Sequence, residues 1–227
     1  MKLTQRRVPF IAFPYTGFML RYAITDRAQL PGDELQRDEG LIRQAGIWVA
    51  QSIDFIQLRE KDVPAGMLAE IARRMLSVTR GSHSRTKLLI NSRADVAIAV
   101  AADGVHLTSA PGSLTPTQIR ELYGRAGVSE PVVSVSCHTL DEVAAARETG
   151  ATFVLFGPVF EKRVEGQIVA EGSGLSLLRE AVEVAGHVPV LALGGVTPGT
   201  VADCCGAGAR GIAGIRLFKD QHGTGTS

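Results

Sequence analysis

The sequence predicts one α/β domain, a single (β/α)8 TIM barrel. Eight short apolar runs recur along the 227 residues, and the segments between them carry helical patterns, as in a chain of β-α units. Four of the runs hold consecutive Val, Ile or Leu residues, which is typical of parallel strands buried on both faces. An open doubly wound sheet is the alternative. No Gly-x-Gly-x-x-Gly motif follows an early run, and this favours the barrel.

The predicted strands are the apolar runs themselves. Each run is short and is followed by polar residues or glycine, which is where a barrel strand ends and its loop begins. In chain order the runs are Tyr22–Thr25, Phe55–Leu58, Leu88–Asn91, Gly104–Leu107, Val132–Val135, Phe153–Phe156, Val188–Ala192 and Gly211–Ile215.

Helical patterns fill the segments between the strands. Asp33–Ala50 carries apolar residues at i+3 and i+4 spacing, and Pro64–Thr79 begins with a proline, which a first helical turn tolerates. Thr139–Glu142 has the capping-box pattern that opens a helix. Thr197-Pro198 opens another, with a capping hydroxyl followed by proline at the first position.

Composition and charge exclude several classes of protein. Lys and Arg number 24 against 23 Asp and Glu, a net charge of +1, which argues against nucleic-acid binding through a positive field. Three cysteines cannot form a disulfide framework, and the adjacent Cys204 and Cys205 match neither a zinc site nor a CxxC motif. No apolar stretch reaches the length of about 18 residues that a membrane span needs. We therefore expect a cytoplasmic protein without nucleic-acid or membrane partners.

The chain reads as one domain with two short extensions. Residues 1–20 mix basic residues with two prolines and lack a signal-peptide cleavage pattern, so we expect an N-terminal arm. Residues 21–219 form the predicted barrel, and residues 220–227 form a flexible tail.

The end of the second strand carries the strongest chemical pattern. Gln57, Arg59 and Lys61 alternate, so their side chains share one face. An amide, a guanidinium and an ammonium at the mouth of a barrel suit an anionic or phosphorylated ligand. The alternative is that the pairs Arg59–Glu60 and Lys61–Asp62 neutralise each other at the surface.

The next three strands end in further polar residues. Asn91 ends the third, and is placed either to contact a ligand or to cap the next helix. His106 lies within the fourth, where a lone histidine is more often a hydrogen-bonded core residue. The fifth ends at Ser136 and Cys137, and the following His138 precedes a helix, where it is placed to act as a general acid or base. Cys137 is interpreted as a packed residue.

The last three strand ends favour phosphate. A long glycine-containing loop after the sixth strand, with Lys162, Gly172 and Gly174, is typical of a lid over a site. Two glycines follow the seventh strand, where barrels bind phosphate through main-chain N–H groups, and the amides after the eighth strand complete such a cup. The predicted phosphate-binding residues are Gly194, Gly195, Ile215 and Arg216.

Six short strings, in a specific order, carry a family resemblance from about Tyr22 to Phe218. They are Gln57-Leu-Arg59-Glu-Lys61, Leu89-Ile-Asn91, Asp103-Gly-Val-His106-Leu107, Ser136-Cys-His138, Val154-Leu-Phe-Gly-Pro-Val-Phe160 and Ala192-Leu-Gly-Gly-Val196. Together they resemble the thiamine phosphate synthase/TenI family. The resemblance implies a TIM barrel, often oligomeric, that binds a phosphorylated thiazole and uses His138 as its acid or base. The expected substrate-binding residues are Gln57, Arg59, Lys61, Asn91, Ser136, Lys162, Gly172 and Gly174.

The family has two activities, and departures from its pattern bear on the choice. Synthases join a hydroxymethylpyrimidine diphosphate to a thiazole phosphate with Mg²⁺, whereas TenI-type members shift a proton on a carboxythiazole phosphate without a metal. The synthase pattern has Asn-Asp after the third strand and Gly-Gln-x-Asp after the fourth. Here Asn91-Ser92 and Leu107-Thr-Ser-Ala-Pro-Gly112 supply no carboxylate.

The resemblance therefore favours a TenI-type thiazole tautomerase that needs no cofactor. The loop Phe160-Glu-Lys-Arg-Val164 is also closer to the Val-Phe-Glu of TenI-like chains. The first alternative is a Mg²⁺-dependent thiamine phosphate synthase, in which Lys61, Lys162 and Arg163 replace part of the missing cation charge. A non-catalytic regulator that binds the phosphorylated ligand is the second alternative.

Overall fold

Eight parallel strands close into a barrel in the computed structural model, which describes residues 19–81, 84–164 and 167–218, without the side chains of 162–164 and 167–170. The order around the barrel is β1-β10-β9-β6-β5-β4-β3-β2. This confirms the predicted (β/α)8 fold. The barrel strands are β1 (Leu20–Ile24), β2 (Phe55–Leu58), β3 (Lys87–Asn91), β4 (Gly104–Thr108), β5 (Val132–Cys137), β6 (Phe153–Phe156), β9 (Val190–Leu193) and β10 (Gly211–Gly214).

Seven α-helices lie in the described part of the chain and pack outside the barrel. Three of them begin with a complete capping box, which satisfies main-chain N–H groups of the first turn. These boxes pair Asp33 with Gln36, Thr115 with Gln118, and Thr139 with Glu142, the last as predicted. The helices are α1 (Glu34–Ala50), α2 (Ala65–Thr79), α3 (Ala94–Ala99), α4 (Pro116–Arg125), α5 (Leu140–Glu148), α6 (Gly174–Ala185) and α7 (Val201–Gly206).

Two elements differ from the prediction. The loop expected after the sixth strand contains an antiparallel hairpin, β7 (Lys162–Val164) and β8 (Gln167–Ala170). Alternating apolar residues such as Ile168 and Ala170 suit a strand, and the loop interpretation overlooked this short pattern. Thr197-Pro198 opens a single 3-10 turn, Pro198–Thr200, before α7 begins.

The ends of the chain are only partly described. The strand β1 begins at Leu20, so the last residue of the expected arm belongs to the barrel. The rest of the arm, apart from Met19, lies outside the described residues, as do residues 219–227 with the expected tail. Both extensions stay predictions.

The strand periodicity divides the barrel interior into two levels. At the lower level the inward side chains are apolar, and Tyr22, Phe55 and Phe153 form a cluster with ring centroids 4.7 to 6.0 Å apart. One pleat higher, the inward positions of β2 and β4 are Gln57 and His106. The larger core, between barrel and helices, is mainly apolar, and most of the buried polar side chains lie at the carboxyl end of the strands.

Candidate active site

A layer of polar side chains closes the upper end of the barrel interior. Gln57 is 1% exposed, and its Nε2 donates to Asn91 Oδ1 at 2.8 Å. The other amide atom, Gln57 Oε1, is buried and has no hydrogen-bond partner among the described residues. Since a buried polar atom without a partner is costly, Oε1 is suited to accept a hydrogen bond from a ligand. The layer comprises Gln57, Asn91, His106, Ser134 and Ser136 and is called the mouth layer below.

The acidic neighbours of Arg59 and Lys61 bind elsewhere. Thr25 Oγ1 donates to Glu60 Oε1 at 2.5 Å, and Arg27 N donates to Glu60 Oε2 at 3.0 Å. The Arg27 guanidinium contacts the Asp62 carboxylate at 2.8 Å. The expected alternative, in which Arg59 pairs with Glu60 and Lys61 with Asp62, is therefore wrong. Neither Arg59 nor Lys61 makes a salt bridge to any residue that the structure describes.

The two acids have opposite electrostatic environments. Burial raises the pKa of Glu60, against the hydrogen bonds from Thr25 and Arg27, which lower it. The hydrogen bond from Arg27 lowers the pKa of Asp62. Arg27 is itself 7% exposed and also contacts Asp38 at 3.4 Å. The segment after β1 thus binds both acids of the Gln57–Asp62 string, and neither acid is paired with the adjacent cation.

His106 lies in the mouth layer and is enclosed. It is 3% exposed, with Nδ1 2.8 Å from Ser134 Oγ and Nε2 2.8 Å from Ser136 Oγ. Burial, together with a smaller effect of the positive charge of Arg59, lowers its pKa to about 3. His106 is therefore neutral at physiological pH. This geometry agrees with the expectation of a hydrogen-bonded core histidine. One of its two partners, Ser136, is also a predicted substrate-binding residue.

His138 is exposed and has a different arrangement. Its Nδ1 contacts the Gly157 main-chain oxygen, which only accepts, so Nδ1 carries a proton and donates it. Nε2 of the neutral ring is then an acceptor, as a general base requires. The main chain is held as well, because His138 N donates to Glu142 Oε2 at 2.5 Å. Burial works to raise the pKa of Glu142, but this bond and those from Ser109 and Thr139 outweigh it, so the pKa is lowered.

The paired glycines after β9 contact the segment after β6. Gly194 and Gly195 have φ of +87° and +65°, values that favour glycine. A Cβ on Gly194 would lie 2.6 Å from Pro158, and one on Gly195 would lie 2.7 Å from Phe160 Cβ. Glycine is thus required here by backbone conformation and packing alone, and phosphate binding at these two residues stays a prediction.

The remaining predicted residues lie around the same end of the barrel. Gly172 allows close approach, since a Cβ there would lie 2.6 Å from the Phe160 carbonyl carbon, whereas Gly174 begins α6 with a φ of +81°. Ile215 and Arg216 follow β10, and Arg216 Nε donates to Gln29 Oε1 at 3.2 Å. Lys162 belongs to β7, and its side chain lies outside what the structure describes.

Comparison with known proteins identifies the family. The family described as thiamine monophosphate synthase matches residues 21–218, almost the whole described chain. The chain belongs to the thiamine monophosphate synthase family. This places it among the enzymes of thiamine biosynthesis and confirms the resemblance found in the strand-end motifs.

Relatives and a solved structure agree with this assignment. The chain is 39% identical over 196 residues to a putative thiamine-phosphate synthase of Geobacter sulfurreducens, covering 85% of this chain and 83% of that one. It is 34% identical to putative thiamine-phosphate synthase 2 of Aquifex aeolicus, covering 88% and 97%. Thiamine phosphate pyrophosphorylase from Pyrococcus furiosus superposes with a TM-score of 0.67 at 29% identity, covering 87% and 86%.

The Mg²⁺ associated with synthases of the family does not fit the residues of this member. Magnesium prefers carboxylate oxygens, but Ser92 follows β3 and Ser109–Pro111 follow β4, and none of these residues carries a carboxylate. The nearest acid along the chain, Asp95, is bound by Arg93 at 2.6 and 2.9 Å. Within the described ranges, no three His, Cys, Asp or Glu residues form a group that could hold a metal ion.

Other features of this family member were not found from the sequence. Thr25, Arg27 and Ser134 contact predicted site residues or their neighbours, yet none was singled out. The signal for Ser134 was available, because it shares the inward register with Ser136. The role of Arg27 needed the tertiary structure, since it depends on contact between the segments after β1 and β2.

No helix of the described residues is long and apolar enough to cross a bilayer.

Proposed function

We propose that this family member binds a phosphorylated thiazole at the barrel mouth and catalyses a metal-free proton shift on it. The observation that carries the proposal is His138, whose Nδ1 is occupied by the Gly157 carbonyl while Nε2 remains an acceptor. The segments after β3 and β4 support a reaction without a metal, since they supply no carboxylates that could bind a cation.

The ligand is held at both ends in this proposal. Arg59 and Lys61, whose acidic neighbours bind Thr25 and Arg27, take the ring carboxylate through charge-assisted hydrogen bonds. Main-chain amides at Gly194, Gly195, Ile215 and Arg216 take the phosphate, as barrels do after their last two strands. Hydrogen-bonding groups of the thiazole face Gln57 Oε1 and Ser136.

The chemical step is then a balanced isomerisation. His138 Nε2 takes a proton from one carbon of the azole, and the electron pair of that C–H bond moves into the ring and its carboxylate. Protonation at a second carbon by the imidazolium restores the neutral histidine. No atom is lost, nothing is oxidised or reduced, and the positive charge of Arg59 stabilises the anion that forms between the two transfers.

The second candidate is the coupling of a pyrimidine diphosphate with a thiazole phosphate. The names of the relatives favour this coupling more directly than the proton shift, because both relatives described above are named as putative thiamine-phosphate synthases. The cations Arg59 and Lys61 suit a diphosphate as well as a carboxylate. The segments after β3 and β4 argue against the coupling reaction, because they offer no carboxylate to bind Mg²⁺.

Parallel turnover assays separate the candidates. The protein is given the carboxythiazole phosphate alone, or the pyrimidine diphosphate with thiazole phosphate, each with Mg²⁺ and with a chelator. We expect isomerisation that the chelator leaves unchanged. Pyrophosphate release that requires Mg²⁺ would instead establish the coupling reaction. Tight calorimetric binding of the thiazole phosphate with neither turnover would favour the regulator.

A further inference from the structure

A line of four hydrogen-bonding groups crosses the barrel interior from its apolar level to its mouth. Tyr22 Oη lies 3.3 Å from Ser134 Oγ, which lies 2.8 Å from His106 Nδ1. His106 Nε2 lies 2.8 Å from Ser136 Oγ, the last group of the line. Tyr22 and Ser134 are fully buried, whereas Ser136 is partly exposed. The line therefore has one closed end, at Tyr22, and one partly exposed end, at Ser136.

The closed end determines the direction of every hydrogen bond. Burial raises the pKa of Tyr22, so its phenol keeps its proton, and Ser134 Oγ is its hydrogen-bond partner among the described residues. Tyr22 therefore donates to Ser134, and Ser134 donates its own proton to His106 Nδ1. Because the ring is neutral and Nδ1 accepts, Nε2 carries the ring proton and donates it to Ser136.

The reversed arrangement leaves a buried proton without an acceptor. Ser136 would donate to Nε2, Nδ1 to Ser134, and Ser134 to Tyr22, whose own proton would then have no partner among the described residues. An orphaned hydroxyl in such a buried place disfavours this arrangement by about ten- to a hundredfold.

We infer that this line fixes His106 as its Nε2–H tautomer and turns the Ser136 hydroxyl proton toward the barrel mouth. Ser136 accepts from His106, so its own proton is available to a ligand. His106 and Ser134 are positioning residues that act through Ser136, and the ligand atom facing Ser136 is an acceptor, such as a carboxylate or phosphate oxygen. This last point rests on the proposed function, whereas the tautomer does not.

Nitrogen-15 spectra of the ligand-free protein test the tautomer. The chain has five histidines, and the His106 signals are assigned by their loss in His106→Gln. We expect a protonated Nε2 and a bare Nδ1, unchanged between about pH 5 and 8. A protonated Nδ1, or an imidazolium in that range, would overturn the inference.

Removal of the Ser134 hydroxyl tests whether Ser134 sets the direction of the hydrogen bonds and thereby the His106 tautomer. In Ser134→Ala neither tautomer satisfies Nδ1, so the preference disappears and both nitrogens give averaged signals. The matched control is Thr86→Val, which removes a buried hydroxyl that donates to the Ile53 carbonyl at 2.6 Å in another part of the barrel. The control keeps the wild-type tautomer. A wild-type spectrum from Ser134→Ala would show that Ser134 does not set it.

Calorimetry with the carboxythiazole phosphate tests the use of the Ser136 proton. We expect Ser136→Ala to bind the compound about tenfold more weakly, as loss of a hydrogen bond to a charged acceptor predicts. Equal binding by wild type and Ser136→Ala would refute the role of the hydroxyl. If the wild-type protein does not bind the compound, the proposed function fails, and the tautomer is judged by the spectra alone.

Discussion

Two histidines at the ends of neighbouring strands have opposite surroundings. His106 in β4 is 3% exposed and both ring nitrogens contact serine hydroxyls at 2.8 Å. His138, directly after β5, is exposed, and its described ring contact joins Nδ1 to the Gly157 carbonyl. The two differ in which atoms remain available, and this decides what chemistry each supports.

The hydrogen-bond partners of each ring, rather than the residue type, determine the role of each histidine. A ring with both nitrogens occupied and a pKa near 3 neither gains nor releases a proton at neutral pH, so His106 orients its neighbours. A ring held through Nδ1 keeps Nε2 for a substrate, as a general base requires. Four predictions follow from this contrast, in order of decreasing effect.

Exchange of His138 for glutamine has the largest expected effect. Glutamine retains an amide N–H for the Gly157 carbonyl but has no basic nitrogen, so we expect turnover of the carboxythiazole phosphate to fall by about 10²- to 10⁴-fold. Steady-state kinetics measure this, while the free energy of unfolding stays within about 0.5 kcal/mol of wild type. Unchanged turnover in a folded variant would remove His138 from the mechanism.

The same exchange at His106 acts mainly on stability. Glutamine cannot satisfy both Ser134 and Ser136 in the geometry of the ring, so we expect the free energy of unfolding to fall by about 2 to 3 kcal/mol. Urea denaturation of His106→Gln beside His138→Gln measures the difference directly. Equal stability of the two variants would mean that the enclosed ring contributes no more than the exposed one.

The pH dependence of stability separates the two rings further. The unfolded chain protonates His106 below about pH 6.5, but the folded chain does so only near pH 3. The contribution of His106 to the free energy of unfolding is therefore fully present above about pH 6.5. It falls by about 1.4 kcal/mol per pH unit as the pH decreases toward 3. Denaturation series of wild type and His106→Gln should converge as the pH falls from about 7 to 5. Parallel series would contradict the buried neutral ring.

Glu142→Gln has the smallest expected effect and concerns the His138 side alone. Glu142 accepts from the main-chain N–H of His138 and of Thr139, and glutamine keeps an acceptor oxygen without the charge. We expect a loss of about 0.5 to 1 kcal/mol in stability and a severalfold loss of turnover. The His106 nitrogen-15 signals serve as the control and should not move. A shift there would mean that the two sites are coupled.

Much of the fold and part of the site were predictable from the sequence. Short apolar runs marked all eight barrel strands, and the Thr139–Glu142 pattern marked the start of α5, because periodicity and capping are local properties. Alternation predicts that Gln57 and Arg59 share one face, and the structure places Gln57 in the buried layer beside Asn91. The hairpin β7–β8 was missed because its strands are short and its pattern weak.

The partners of the charged and polar groups were not predictable. Glu60 and Asp62 are adjacent to Arg59 and Lys61 in the chain, yet both are bound by Thr25 or Arg27 from the segment after β1. The amino-acid pattern was sufficient to predict which residue types reach the carboxyl ends of the strands, because strand periodicity is a local property of the chain. The folded arrangement was needed to see that Glu60 and Asp62 are not paired with Arg59 and Lys61, and that His106 is the enclosed histidine. Those properties depend on distances between segments that are far apart in the chain, and burial and hydrogen bonding act through those distances.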